Sequence, residues 1–91
     1  MLERVVETSL RKGVEKRGGM CYKLSDTGRR GAPDRLMLEE IPERHRDIIS
    51  KYVYFVETKK PGDKPKPHQV REHERLRKIG YRVDVIDRKV K

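Results

Sequence analysis

The stretch YVYFVETK, Tyr52 to Lys59, decides the fold of this chain. Its first five residues, Tyr52 to Val56, are apolar at every position, which predicts a central strand buried on both faces. Glu57 and Lys59 continue one of those faces, because residues two apart on a strand point to the same side. A carboxylate that extends a buried strand is costly unless it is paired or bound to a metal. The alternative is that the strand simply emerges into water at Glu57.

Hydrophobic periodicity divides the rest of the chain into short elements separated by glycine and proline. Apolar residues recur every three to four positions in two segments, which predicts helices over Leu2–Lys16 and Gln69–Ile79. Further strands are predicted over Met20–Leu24, Asp34–Glu39 and Tyr81–Ile86. The polar segment Glu40 to Lys51 is long for a hairpin turn, so a short helix or an elaborated loop is expected there.

The predicted order is therefore helix, strand, strand, strand, helix, strand. This order describes an α/β domain with a small mixed β-sheet flanked by helices. A chain of 91 residues predicts a single domain over 1–91 with a thin core, which oligomerisation would help to stabilise.

The composition indicates a basic, cytoplasmic protein. Charged residues make up 43% of the chain, and the net charge of +9 predicts attraction to polyanions, of which nucleic acid is the commonest. A membrane surface is disfavoured, since the chain has no Trp, one Phe and no long apolar run. The N-terminus lacks a signal-peptide apolar region, and the single Cys21 fits a reducing compartment.

Two basic, irregular segments are candidates for contact with nucleic acid. Ser25 to Pro33 (SDTGRRGAP) is a loop by composition, in which glycines flank Arg29 and Arg30. Lys60 to Pro67 (KPGDKPKP) holds three prolines and must be a non-regular connection. Its candidate phosphate-binding residues are Lys60, Lys64 and Lys66. The first of these segments could also be an ordinary solvated turn.

Asp34, Glu57 and Lys59 form a minimal set for phosphodiester hydrolysis. That reaction needs a nucleophilic water, stabilisation of the transition-state charge and help for the leaving oxygen, and a divalent cation can serve all three. Carboxylates are the hard oxygen ligands that Mg²⁺ or Mn²⁺ prefers. Lys59 can orient the water or stabilise the transferred charge. The three histidines show no zinc-binding spacing.

The motifs Gly31-Ala32-Pro33-Asp34 and Glu57-Thr58-Lys59, followed by Gln69 and a final strand after Gly80, resemble the VRR-NUC group of the PD-(D/E)XK nuclease superfamily. The resemblance spans Glu7 to Ile86, nearly the whole chain. It implies a restriction-endonuclease-like core, with Mg²⁺ as the cofactor and Mn²⁺ able to substitute.

The resemblance also implies a role for each matching residue. Asp34 and Glu57 correspond to the metal carboxylates, the Thr58 carbonyl to a further metal ligand and Lys59 to the catalytic lysine. Glu7 is similar to the acidic residue that such nucleases direct at the metal, often through water, although an ordinary exposed glutamate is the alternative. Gln69 matches the glutamine that supports the lysine or contacts the nucleic-acid backbone.

Stand-alone members of the group resemble Holliday-junction resolvases and are often phage-encoded homodimers. We therefore expect a homodimeric endonuclease acting on branched DNA such as four-way junctions, in the host cytoplasm if the chain is phage-encoded. The length of Glu40 to Lys51 departs from the tight hairpin of many relatives and puts the dimer contacts in doubt. Three alternatives remain: a nuclease acting on flap or nicked DNA, a non-catalytic basic nucleic-acid-binding module, and an interaction subunit that has lost catalysis.

Overall fold

A computed structural model describes residues 2–25 and 28–89 of the chain. These residues form three helices and four strands, in the order α1 (Glu3–Lys16), β1 (Met20–Lys23), β2 (Arg35–Leu38), α2 (Glu43–Ile49), β3 (Phe55–Thr58), α3 (Pro67–Lys78) and β4 (Val83–Ile86). The predicted α/β class is confirmed. The short helix expected within Glu40 to Lys51 is α2. The described strands form two two-stranded sheets, one antiparallel and one parallel.

The chain divides into two compact units, Met1–Glu40 and Ile41–Lys91, and each is described by itself. The expectation of a single domain over 1–91 stays a prediction. None of the described helices is both long and apolar enough to span a membrane.

The first unit packs α1 on the antiparallel β1–β2 pair. Its register sets Met20 opposite Leu38 and Lys23 opposite Arg35, and Val14 and Leu38 are almost completely buried. Gly19 lets the chain pass closely over β2, because a Cβ there would collide with the Leu38 carbonyl oxygen and lie 2.9 Å from Val14 Cγ2. The unit therefore depends on one tight junction between helix and hairpin.

Most of the apolar stripe of α1 lies on the surface of the chain. Leu2 is 60% exposed and Leu10 55% exposed. Val5 and Val6 are also exposed, so Val14 alone among the described residues of this helix is buried. The amphipathic pattern predicted the helix correctly, but the described residues leave its N-terminal half exposed.

The second unit is built on a β3–α3–β4 crossover. Strand β3 pairs in parallel with β4, with Phe55 opposite Val83 and Thr58 opposite Ile86. Parallel strands need such a long connection, and a helix usually provides it. The buried residues of this unit are Ile41, His73, Leu76, Ile79 and Val83.

The prediction of a strand over Tyr52–Val56 buried on both faces is wrong. Strand β3 begins at Phe55, Tyr52 is 79% exposed and Val56 is 46% exposed. The backbone N–H groups of Tyr52 and Val53 each donate to the Ile49 carbonyl at 2.9 Å. These residues therefore complete the turn that follows α2 and cannot extend the strand.

Candidate functional site

An acidic cluster in the first unit brings together two of the predicted residues. Glu3, Glu7 and Asp34 each offer one carboxylate oxygen, and these oxygens lie within 4.8 Å of one another. Asp34 directly precedes β2, and its carbonyl accepts a 2.8 Å hydrogen bond from the Leu24 N–H. The prediction had not included Glu3, although its position one helical turn before Glu7 was a usable signal.

Arg35 fixes one member of this acidic cluster. Its Nη2 donates to Glu7 Oε2 at 2.8 Å, and both side chains are about three-quarters buried, at 24% and 28% exposure. This hydrogen bond raises the pKa of the Arg35 guanidinium. Arg35 neutralises one of the three carboxylates, so two negative charges are left for a cation. Nothing local in the sequence pairs Arg35 with a helix residue 28 positions earlier.

Strand β3 places Glu57 and Lys59 as its spacing predicted. Phe55, Glu57 and Lys59 are half-buried, whereas Val56 and Thr58 are exposed. The Lys59 N–H donates to the Ile86 carbonyl at 2.9 Å, so the backbone stays in register with β4 one residue beyond the strand. Glu57 has therefore not emerged fully into water, since its side chain is 28% exposed.

His73 contacts Glu57 from α3. Its Nε2 lies 3.3 Å from Glu57 Oε1, and His73 is only 7% exposed. In the part of the chain that the structure describes, it is the one buried polar residue. His73 and Leu76 are three residues apart and so lie on the same side of α3, but this spacing does not identify a partner on a strand.

Gln69 has a local structural role at the start of α3. Its Oε1 accepts the Lys66 backbone N–H at 2.9 Å, which satisfies a donor at the helix N-terminus. Gln69 and His73 are four residues apart, so they lie on the same side of α3. The predicted support of Lys59 by Gln69 stays a prediction.

The basic segments are exposed where the structure describes them. Arg29 and Arg30 lie between Gly28 and Gly31, whose φ angles of +74° and +82° lie in the left-handed region that glycine adopts without steric cost. The connection before α3 turns at Gly62, whose N–H lies 3.3 Å from Asp87 Oδ2. Its exposed lysines are Lys60, Lys64 and Lys66.

An open groove of about 580 Å³ lies beside the end of β3 and β4. Val56 and Ile86 contribute apolar surface to it, and Lys59, Arg88 and Lys89 contribute three cationic side chains. Asp87 also lines the groove, so cationic and anionic side chains both border its apolar surface.

Each unit thus contains some of the predicted site residues. Glu7 and Asp34 lie together in the first unit, and Glu57, Thr58, Lys59 and Gln69 belong to the second. The side-chain donors Glu7, Asp34 and Glu57 are carboxylates, which are the ligands that a hard divalent cation prefers.

Comparison with known proteins gives two similar chains. A protein described as "Putative nuclease p44", from Acyrthosiphon pisum secondary endosymbiont phage 1, is 42% identical over 85 residues, which are 93% of this chain and 82% of that protein. A solved structure described as a VRR_NUC domain is 41% identical and covers 93% of this chain and 83% of its own, with a TM-score of 0.39. No protein-family model matches the chain.

Proposed function

The chain belongs to the VRR-NUC family of nucleases, and from this premise we propose that it is a divalent-metal-dependent endonuclease that hydrolyses phosphodiester bonds in DNA. The observation that carries the proposal is the half-buried pair Glu57 on β3 and Lys59 directly after it. A carboxylate and a lysine held on one face, partly withdrawn from water, are what metal-assisted hydrolysis requires of the protein.

Mg²⁺ is the cation that the donor set fits best. The donors are carboxylates, and Mg²⁺ is usually bound through one or two carboxylates together with waters and substrate phosphates. We propose as metal-binding groups Asp34 in the first unit, with Glu7 acting through water, and Glu57 and the Thr58 carbonyl in the second unit. Mn²⁺ prefers the same donors and should substitute.

The other residues of the proposed site bind and orient the reactants. Bound metal would supply a nucleophilic hydroxide and stabilise charge at the phosphorus. Lys59 would hold the attacking water or stabilise the negative charge that develops on the phosphoryl oxygens. Gln69 would support Lys59 or contact the DNA backbone through its amide group.

The charge distribution supports DNA as the substrate. The net charge is +9, and the exposed cations Arg29, Arg30, Lys60, Lys64 and Lys66 lie in irregular segments. Contacts to phosphates position a protein on DNA without reading its sequence. We therefore propose selectivity for DNA shape, with branched DNA such as four-way junctions preferred.

We further propose that the chain is a homodimer in which a second copy covers the exposed stripe of α1. Val6 and Leu10 are spaced four residues apart on this helix and present one apolar face; both are exposed, as is Leu2, which directly precedes the helix. Leu10→Glu should shift the mass measured by light scattering from dimer to monomer, while Ser9→Glu adds the same charge one position away and should leave the dimer intact. A monomeric wild-type chain at micromolar concentration would contradict the proposal.

A cleavage panel tests the enzymatic activity. Four-way junction, flap, nicked, single-stranded and linear duplex DNA are incubated with Mg²⁺ or Mn²⁺, and cutting should require the metal. Asp34→Ala, Glu57→Ala and Lys59→Ala should each reduce cutting on the order of 100-fold or more. DNA binding should persist in the two carboxylate variants, because they lose negative charge. Glu74→Ala, an exposed carboxylate on α3, serves as the matched control.

The same panel addresses the alternatives. Undiminished cutting by Lys59→Ala would contradict the proposed mechanism. Salt-sensitive binding without cutting of any DNA form would favour the non-catalytic binding module, which the exposed basic segments also fit. A clear preference for flap or nicked DNA would keep the nuclease and replace the proposed substrate.

A further inference from the structure

We propose that His73 is a positioning residue that holds one carboxylate oxygen of Glu57 and thereby leaves the other oxygen oriented toward the metal. The inference rests on the proposed function, because it assigns Glu57 to the metal. It concerns two residues of the same compact unit, whose contact the structure describes directly.

The burial of His73 requires a hydrogen-bond partner. A polar side chain that is only 7% exposed is costly unless it is hydrogen-bonded. The partner at Nε2 is Glu57 Oε1, at 3.3 Å. An ionised carboxylate only accepts hydrogen bonds, so Nε2 must carry the proton and donate it.

Helix α3 holds the imidazole ring of His73 in place. His73 lies one turn before the buried Leu76 on α3, and Ile79 is buried a further three residues along. Apolar packing on the same face therefore restrains the imidazole. Glu57, in contrast, has a mobile terminal torsion, because rotation about the last bond of a glutamate is broad and roughly two-fold. The contact restricts the more mobile of the two groups.

A restricted carboxylate should bind a metal more tightly. Hydrogen bonds to ligating groups fix their orientation, and their loss typically lowers metal affinity by about 10- to 100-fold. The His73–Glu57 distance of 3.3 Å is slightly longer than the usual hydrogen-bond range of about 2.7–3.2 Å. We therefore expect a loss of metal affinity closer to about 10-fold than to about 100-fold.

The alternative is that His73 only fills the core, and two substitutions separate these roles. His73→Leu keeps apolar volume and removes the hydrogen bond. His73→Gln places an amide N–H near the position of Nε2. Positioning predicts loss in the first variant and recovery in the second, whereas core filling predicts that the polar glutamine is no better than leucine.

The test is a Mn²⁺ titration of the full chain without DNA, in which electron paramagnetic resonance measures the free Mn²⁺. His73→Leu should raise the dissociation constant about tenfold, and His73→Gln should return it close to the wild-type value. Equal affinity in His73→Leu and wild type would overturn the inference, as would equal losses in the leucine and glutamine variants. If His73→Leu does not fold, His73→Asn replaces it, because its shorter amide corresponds to Nδ1 and does not reach Glu57.

Glu57→Gln separates this inference from the proposed function. If wild type does not bind Mn²⁺ more tightly than Glu57→Gln, the metal site itself is refuted and the role of His73 with it. If Glu57→Gln weakens binding but His73→Leu does not, only the positioning role is refuted. Because His73 acts through Glu57, the Glu57→Gln/His73→Leu double variant should bind no more weakly than Glu57→Gln alone.

Discussion

Replacing Val14 with alanine should lower the free energy of unfolding by about 2 kcal/mol. Val14 is 1% exposed and is the largest side chain with essentially no accessible surface among the described residues. It lies where α1 meets the β1–β2 pair, next to Gly19. The close approach at Gly19 leaves little freedom for the neighbouring backbone to collapse into the vacated space.

The magnitude follows from three contributions. Two carbon atoms lose their burial, which costs about 0.8 kcal/mol each. The cavity left behind adds about 24 cal/mol for every Å³ that does not collapse, so a residual cavity of about 40 Å³ adds roughly 1 kcal/mol. Alanine favours the helix over valine by about 0.5 kcal/mol, which offsets part of the loss. For a chain of this size that unfolds in one step, a net change of about 2 kcal/mol lowers Tm by roughly 8–16 °C.

Urea denaturation, monitored by circular dichroism at one fixed protein concentration, measures this change in the free energy of unfolding. Val70→Ala is the matched control, because Val70 lies on α3, outside the proposed dimer face, and is 39% exposed; it should change the free energy of unfolding by no more than about 0.5 kcal/mol. Equal changes in the two variants would refute the conclusion that the first unit depends on the junction around Val14.

Three further predictions concern packing, pH and DNA binding. Gly19→Ala should destabilise the chain, measured by Tm, because its Cβ would collide with the Leu38 carbonyl oxygen; an unchanged Tm would contradict the close approach. Hydrogen bonding to Arg82 holds the pKa of Asp84 below its ordinary value of 3.8, so its contribution to stability is present above that pH and is lost as the pH falls through the folded-state pKa. Asp84→Asn should therefore lower Tm at pH 7 and lose this difference in strong acid, whereas a constant difference would refute the assignment. If Lys64 contacts one phosphate, Lys64→Ala should reduce the slope of log K against log salt by about 0.9, and an unchanged slope would exclude that contact.

Local pattern was sufficient to predict most of the secondary structure. The predicted helices over Leu2–Lys16 and Gln69–Ile79 correspond to α1 and α3 within two residues at each end. Their periodicity, together with the glycines that follow them, is a local property of the sequence. The predicted start of strand β3 was wrong. An apolar run does not show whether the backbone N–H groups at its start bond to a preceding helix, as those of Tyr52 and Val53 do.

The proposed site was predictable as a set of residue types. The spacing of Glu57 and Lys59 predicted a common face, and in the structure both residues are half-buried while Thr58 between them is exposed. The pairing of Glu7 with Asp34 came from the family resemblance, and the structure places both in one acidic cluster. Glu3 could have been found from its spacing with Glu7, since both lie on one side of a helix.

The sequence by itself determined the helices and most of the strands, because each depends on residues close together in the chain, and its composition determined the basic character. The candidate metal ligands came from residue types and from the family resemblance. Only the tertiary structure decided the partners of those ligands. Arg35 reaches Glu7 across 28 positions, and His73 reaches Glu57 across 16. Such contacts depend on how a helix packs on a strand, and that packing is set by buried side chains such as Val14 and Leu76 rather than by the spacing of the charged residues themselves.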